Sequence, residues 1–205
     1  MATENKPEKQ PLDWAAYTGL APLANDLLAH WNVPGVAVGI LRDGQIETHG
    51  FGLANIETQQ QMTADHLLQI GSISKVFTTT LVMRLVGEGK LDLDTPVREY
   101  LPELELEDAT ALETITLRHL LTHTSGIFGD FFEDFGVGDD ALSKAIAKYG
   151  TLRQLTAPGE LWSYCNSGFN LAGAVVEKIL GVPFEQAMHE QIFQPLGLDH
   201  SFFFA

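Results

Sequence analysis

One cysteine in the whole chain, Cys165, leaves no partner for an internal disulfide and no basis for a cysteine-rich metal site. Long apolar runs are missing too. No stretch approaches the about 18 consecutive apolar residues of a membrane-spanning helix. Met1 to Pro11 carries Glu4, Lys6, Glu8 and Lys9 and lacks the apolar segment of a secretory leader. As it stands the chain reads as cytoplasmic; a periplasmic or secreted protein whose leader had been removed would look the same. Positive charge is scarce, with 12 Lys and Arg against 27 Asp and Glu and a formal net charge of -15. That balance argues against nucleic acid or an anionic membrane as partner, since both need a basic face to release counterions. What remains is 205 residues, 45% hydrophobic and 19% charged, enough for one well-buried soluble domain or two subdomains.

The stretch that carries chemistry is Gly71-Ser72-Ile73-Ser74-Lys75. It opens an apolar run predicting a buried helix from Ser72 to about Val86, with Ile73, Phe77, Leu81 and Leu85 recurring every four residues and Val76, Val82, Met83 and Val86 filling most other faces. Gly87 and Gly89 supply its stop, and Ser72 stands at the N-cap or first turn, one turn from Lys75 on the same face. A serine hydroxyl needs its proton removed before it is a useful nucleophile, and a lysine amine removes it only if its pKa is lowered. An apolar surrounding of Ile73, Val76, Phe77 and Thr78, together with the positive end of the helix, would act in that direction. The bland alternative is a capping serine followed by a lysine that reaches solvent. Ser74 points away from the face of Ser72 and is the weaker nucleophile.

In chain order, residues 1–11 read as a disordered tail, followed by a helix from Leu12 to Trp31 with a break at Pro22 and a stripe of Leu20, Leu23, Leu27, Leu28 and Trp31. Val36 to Leu41, the Arg42-Asp43-Gly44 turn and Gln45 to Phe51 predict an antiparallel hairpin. Its first strand looks buried on both faces, which calls for further strands and for helices against the sheet. A short helix begins at Pro96. Asp92 and Asp94 lack the glycine and distal glutamate of a calcium loop, and the glutamates from Glu99 to Glu113 read as a solvated face.

His119 and His123 stand four apart, but without the glutamate that follows the first histidine in zinc proteases they read as packed structural residues. No metal and no cofactor is called for. Phe128, Phe131, Phe132 and Phe135 alternate with Asp130, Glu133 and Asp134 in a loop that forms either a substrate-side wall or a docked surface. Helices are predicted over Asp140 to Tyr149, Ser167 to Leu180, and from Pro183 on. Tyr164 and Asn166, two apart in an extended loop, should point to one side.

Gly71-Ser72-x-Ser74-Lys75, the block His119-Leu120-Leu121-Thr122-His123-Thr124-Ser125-Gly126, Tyr164-x-Asn166 and Pro195-Leu196-Gly197-Leu198 together resemble, in order and spacing, the serine beta-lactamase-related family over residues 20–205. The resemblance implies an α+β, beta-lactamase/transpeptidase-like fold, an antiparallel sheet with flanking helices plus a helical subdomain, divided here at about residue 90. It implies an acyl-enzyme serine hydrolase acting on a small ester, amide, peptide or beta-lactam. Ser72 resembles the nucleophile, Lys75 its proton partner, Tyr164 the phenolic base and acid, and Asn166 the amide that orients substrate and Lys75. A tyrosine of pKa near 10 serves as base only where cations stabilise its phenolate, and a charged Lys75 meets that need. The Ser72 N–H would be one oxyanion donor. Cys165 stands where the family usually has serine. No G-x-S-x-G elbow supports an alpha/beta-hydrolase.

The departure is the family's third motif, Lys or His followed two residues later by Gly on a late strand, which does not occur before Ala205. The sequence therefore reads as a truncated portion of such a domain, its C-terminal strands missing and its activity lost or nearly so. The apolar hairpin edge would be open to self-association or to a covering partner segment. A non-catalytic, penicillin-binding-like sensor or interaction module is the alternative.

Overall fold

The computed structural model describes residues 18–203, so the expected tail and the helical stretch from residue 12 to 17 lie outside the described residues. The fold is α+β and divides into two compact units between Gln69 and Ile70. In the first unit, α1 spans Leu20–Trp31. Pro22 is accommodated in its first turn, where a backbone N–H would have no intrahelical partner anyway. The helix stops at Asn32, whose φ of 54° places it in the left-handed region while Val33 N–H bonds back to Leu28 O at 3.0 Å. Of the expected stripe, Leu20, Leu23, Leu27 and Leu28 are half-buried, and Trp31 is exposed.

The hairpin forms as expected. β1 (Gly35–Arg42) and β2 (Gln45–Asn55) pair antiparallel with Arg42 opposite Gln45, and Asp43 and Gly44 both take positive φ, as a type I′ turn requires. Gly52 has a φ of 75°, and a Cβ there would stand 2.2 Å from Pro34 O, so this crossing accepts no side chain. A two-residue β3 (Gln60–Gln61) adds to β2, giving the order β1-β2-β3. The expected burial of β1 on both faces is not found: its residues are at most half-buried, and Leu41 is 71% exposed. Within this unit α1 is the helix that packs on the sheet, so one face has a cover.

The second unit is mainly helical. A 3-10 turn at Gly71–Ile73 leads into α2 (Ser74–Gly87), followed by α3 (Val97–Tyr100), α4 (Ala109–Thr114), α5 (Leu117–Leu121), α6 (Ala141–Ile146), α7 (Asn166–Leu180) and α8 (Phe184–Met188). Two signals end α2 where the sequence placed its stop. Gly89 adopts φ 71°, and Lys90 N–H bonds to Leu85 O at 2.9 Å. Leu81, Val82 and Leu85 have no exposed surface, but Ile73, Val76 and Met83 are 59%, 65% and 44% exposed. The helix expected to be buried all round is buried along one side only.

That side meets α7, which also packs on α5, α6 and α8 and supplies Leu171, Ala172, Val175 and Val176 to the core. Each of the leucine and valine side chains contributes roughly 1.5–3 kcal/mol by leaving water, and the alanine less. Thr116 and His119 close a reciprocal capping box on α5, which fixes the entry of a helix too short to form alone. Among the described residues no helix is long and apolar enough to cross a membrane. Truncating Leu120, fully buried on α5, to alanine should cost about 2–5 kcal/mol. Denaturant unfolding measures this as a lowered midpoint at unchanged slope.

Candidate active site

Ser72 lies in the 3-10 turn and Lys75 in the first turn of α2, so the two share a face one turn apart, with Lys75 Nζ 3.3 Å from Ser72 Oγ. The second half of the site is built at the start of α7. Cys165 caps that helix, its Sγ accepting the Gly168 N–H at 3.2 Å, and Asn166 is the first helical residue. Lys75 Nζ donates to Asn166 Oδ1 at 2.7 Å and lies over the Tyr164 ring, 4.9 Å from its centroid, with Phe169 at 5.5 Å. The structure thus brings all four sequence-predicted residues together, Lys75 meeting Asn166 at a sequence separation of 91.

The electrostatics differ from those expected. The apolar shell predicted around Lys75 is not closed, because Ile73 and Val76 turn to solvent; only Phe77 and Thr78 are drawn inward. Two ring faces and an amide oxygen surround the amine instead, and these are the contacts an ammonium makes. The Tyr164 phenol responds: hydrogen bonding to Lys75 first, and to Ser72 second, holds its pKa below the ordinary 10.0. Tyr164 is 41% exposed, so the effect comes from direct contact and not from a dry interior.

Two further residues belong to the arrangement. Asp130 Oδ1 accepts the Asn166 Nδ2 hydrogen at 3.0 Å, which orients the amide so that its oxygen faces Lys75. The phenylalanine-rich loop therefore reaches the site through its first acidic residue. Its backbone is tied down there, since Gly129 O accepts both Asn166 N–H and Ser167 N–H, and a Cβ on Gly129 would stand 2.6 Å from Tyr164 O. The second residue, His123, stacks on Tyr164 with ring centroids 4.4 Å apart. The two histidines serve different hydrogen bonds, His119 Nδ1 accepting Thr116 N–H and His123 Nδ1 accepting Cys165 N–H. The only sequence signal for Asp130 was an acidic residue in a glycine-interrupted aromatic loop.

A serine, an ammonium, a phenol of lowered pKa and an amide at hydrogen-bonding range form a constellation that also has known relatives. Residues 20–205 match the family Beta-lactamase. The chain belongs to the serine beta-lactamase-related family. It is 38% identical over 184 residues to penicillin-binding protein 4 of Amycolatopsis lactamdurans, covering 84% of this chain and 48% of that protein. It is 34% identical over 179 residues to the esterase EstB of Burkholderia gladioli, covering 80% and 45%. A solved class C beta-lactamase superposes with a TM-score of 0.77 at 30% identity, over 88% of this chain and 48% of that one. The chain spans about half the length of the curated relatives it matches.

For this member of the family, the coupling of phenol to amine is directly measurable. Lys75→Ala removes the cation that supports the phenolate, so the Tyr164 pKa should move up toward 10.0, read by pH titration of the tyrosine signal.

Proposed function

We propose that this chain carries the acylation centre of a serine hydrolase, with Ser72 as nucleophile, Tyr164 as general base and acid, Lys75 as the cation that supports the phenolate, and Asn166 as the amide that orients Lys75 and substrate. The observation that supports it best is the position of Lys75 Nζ, in contact at once with Ser72 Oγ, Asn166 Oδ1 and the Tyr164 ring. In the reaction, the Tyr164 phenolate takes the Ser72 proton as Oγ bonds to the substrate carbonyl carbon. The oxyanion that forms is met by the Ser72 N–H at the start of the helix. The phenol then returns its proton to the leaving alcohol or amine as that bond breaks, leaving an acyl-serine, which water releases by the same proton route in reverse.

The Asp130 carboxylate, hydrogen-bonded to Asn166, puts negative charge beside the reacting groups, and Glu133 and Asp134 follow it in the same loop. A substrate carboxylate is disfavoured there, whereas neutral esters and amine-bearing peptides are not. The reading is therefore an esterase or D-amino-acid peptidase type in preference to a beta-lactamase. At the full length of the relatives, turnover of p-nitrophenyl esters and D-alanyl amides should exceed that of nitrocefin, and rapid nitrocefin hydrolysis alone would reverse the preference.

Intact-mass spectrometry after incubation with a fluorophosphonate or a penicillin tests the centre itself. At the full length of the relatives, one adduct per molecule, on Ser72 and absent from Ser72→Ala, is expected; no adduct there, or one on another residue, would sink the assignment. An adduct that never turns over would mark a penicillin-binding sensor. Tyr164→Phe should slow acylation by about 10²–10⁴-fold. In the unsubstituted protein the rate should rise with pH as the phenol ionises, with a midpoint below 10.0.

A further inference from the structure

His123 has no part in the chemistry proposed above, yet it touches the Tyr164 segment at every level. Its backbone carbonyl accepts the Ser163 N–H at 2.8 Å, and its ring nitrogen Nδ1 accepts the Cys165 N–H at 3.0 Å. The residues on either side of Tyr164 are thus both tied, through their backbone N–H groups, to one residue. Its ring lies nearly parallel to the phenol, 28° between planes and 4.4 Å between centroids. Trp162 meets the same imidazole edge-on at 6.0 Å, and Phe169 of α7 lies 5.1 Å away. His123 itself takes φ 59°, a left-handed conformation that histidine, asparagine and aspartate tolerate better than most side chains. Here the helix α5 has just ended, and that turn aims the ring back at the loop.

We propose that His123, with a neutral ring, is the positioning residue for the Tyr164 base, holding the phenol against Lys75 and Ser72, and that protonation of the ring releases it. The chemistry follows from the nitrogen inventory. A ring nitrogen that accepts an amide N–H carries no proton, so the proton of the neutral imidazole is on Nε2. Protonation at Nδ1 turns an acceptor toward a donor, breaks the Cys165 tie and places a second positive charge near Lys75. The titratable groups on the elements packed against the ring are Lys75 of α2, Tyr164 and Cys165 of the loop before α7, and Asp130 of the loop after Gly126; His119 lies on α5 itself. Burial, foremost, and the Lys75 charge hold the His123 pKa below 6.5, so the neutral form is the one present near neutrality.

The inference rests on the role given to Tyr164, but its test does not depend on turnover. In nitrogen-labelled protein, the His123 ring should show the Nε2–H tautomer, and the Cys165 amide signal should shift with the same midpoint as the His123 titration, below 6.5. An Nδ1–H tautomer, or a Cys165 amide that stays still across that titration, would overturn the proposal even if Ser72 acylates normally. His123→Leu removes both acceptor and ring, and the Tyr164 pKa should rise toward 10.0 as contact with Lys75 loosens. His123→Asn keeps an acceptor and tolerates the left-handed backbone, so it should restore part of the shift. Identical Tyr164 titrations in all three proteins would refute the positioning role, while loss of acylation with these couplings intact would count against the hydrolase reading alone.

Discussion

The hydrogen bond from Lys75 Nζ to Asn166 Oδ1, 2.7 Å long, is the interaction on which the site depends. It joins the first turn of α2 to the first turn of α7, and its two ends differ in kind. Lys75 is only a donor and the Asp130 carboxylate only an acceptor, so the Asn166 amide between them has one satisfying orientation. The amide oxygen faces the ammonium and the amide nitrogen faces the carboxylate. The resulting chain of charge, dipole and charge fixes where Nζ stands, and from that position follow its distances to the Ser72 hydroxyl and the Tyr164 ring.

Such a chain holds its geometry only if the elements carrying it do not move. Both helices are anchored well beyond their site ends, α2 by Leu81, Val82 and Leu85 and α7 by Leu171, Ala172, Val175 and Val176. The start of α7 has further ties: Tyr149 OH donates to Ser167 O at 2.8 Å, and Ser167 Oγ donates to Phe128 O at 2.8 Å. Tyr164 is the exception, since it precedes α7 and rides on a loop. Its order comes from its neighbours: Gly129, where no side chain fits beside Tyr164 O, and the imidazole against its ring. Groups set on rigid helices and one group set on a clasped loop suit the proposed acyl transfer, in which the proton carrier serves two partners in turn.

Much of this was readable from the chain alone, for physical reasons. Four-residue spacing of apolar side chains marks α2 and α7, glycines with left-handed backbones end them, and Asp43-Gly44 closes the hairpin. Ser72 and Lys75 share a face by helix geometry alone. The match to family motifs, and not any periodicity, is what joined Tyr164 and Asn166 to them. Burial was less legible, because periodicity says which faces are apolar and not what lies against them; hence the exposed Ile73, Val76 and Met83 and the half-buried β1. Asp130 and His123 escaped for a further reason. Asp130 meets Asn166 across 36 positions and His123 meets Cys165 across 42, and pairings of that range leave no local pattern. The two histidines at helical spacing read from the sequence as packed structural residues, and that spacing said nothing about which of them faced the tyrosine.

The openness of the site bears on how the proton chemistry is apportioned. In a dry pocket a lysine loses its proton by desolvation, and it can then act as a base. Here Val76 and Ile73 are turned outward, and Lys75 meets an amide oxygen and two aromatic faces, surroundings that suit the charged amine. A charged Lys75 cannot accept the Ser72 proton, but it can hold a negative phenoxide nearby. The lowered pKa of Tyr164 and the ammonium contacts of Lys75 therefore belong to one arrangement, the one that the proposed roles of tyrosine as base and lysine as counter-charge require. Water screens charges that are not in contact, so with a phenol 41% exposed this pairing works only at hydrogen-bonding range. Under the proposed roles, precise placement of one ring does what desolvation does in a closed site, and the contacts of Gly129 and His123 with the Tyr164 segment serve that placement.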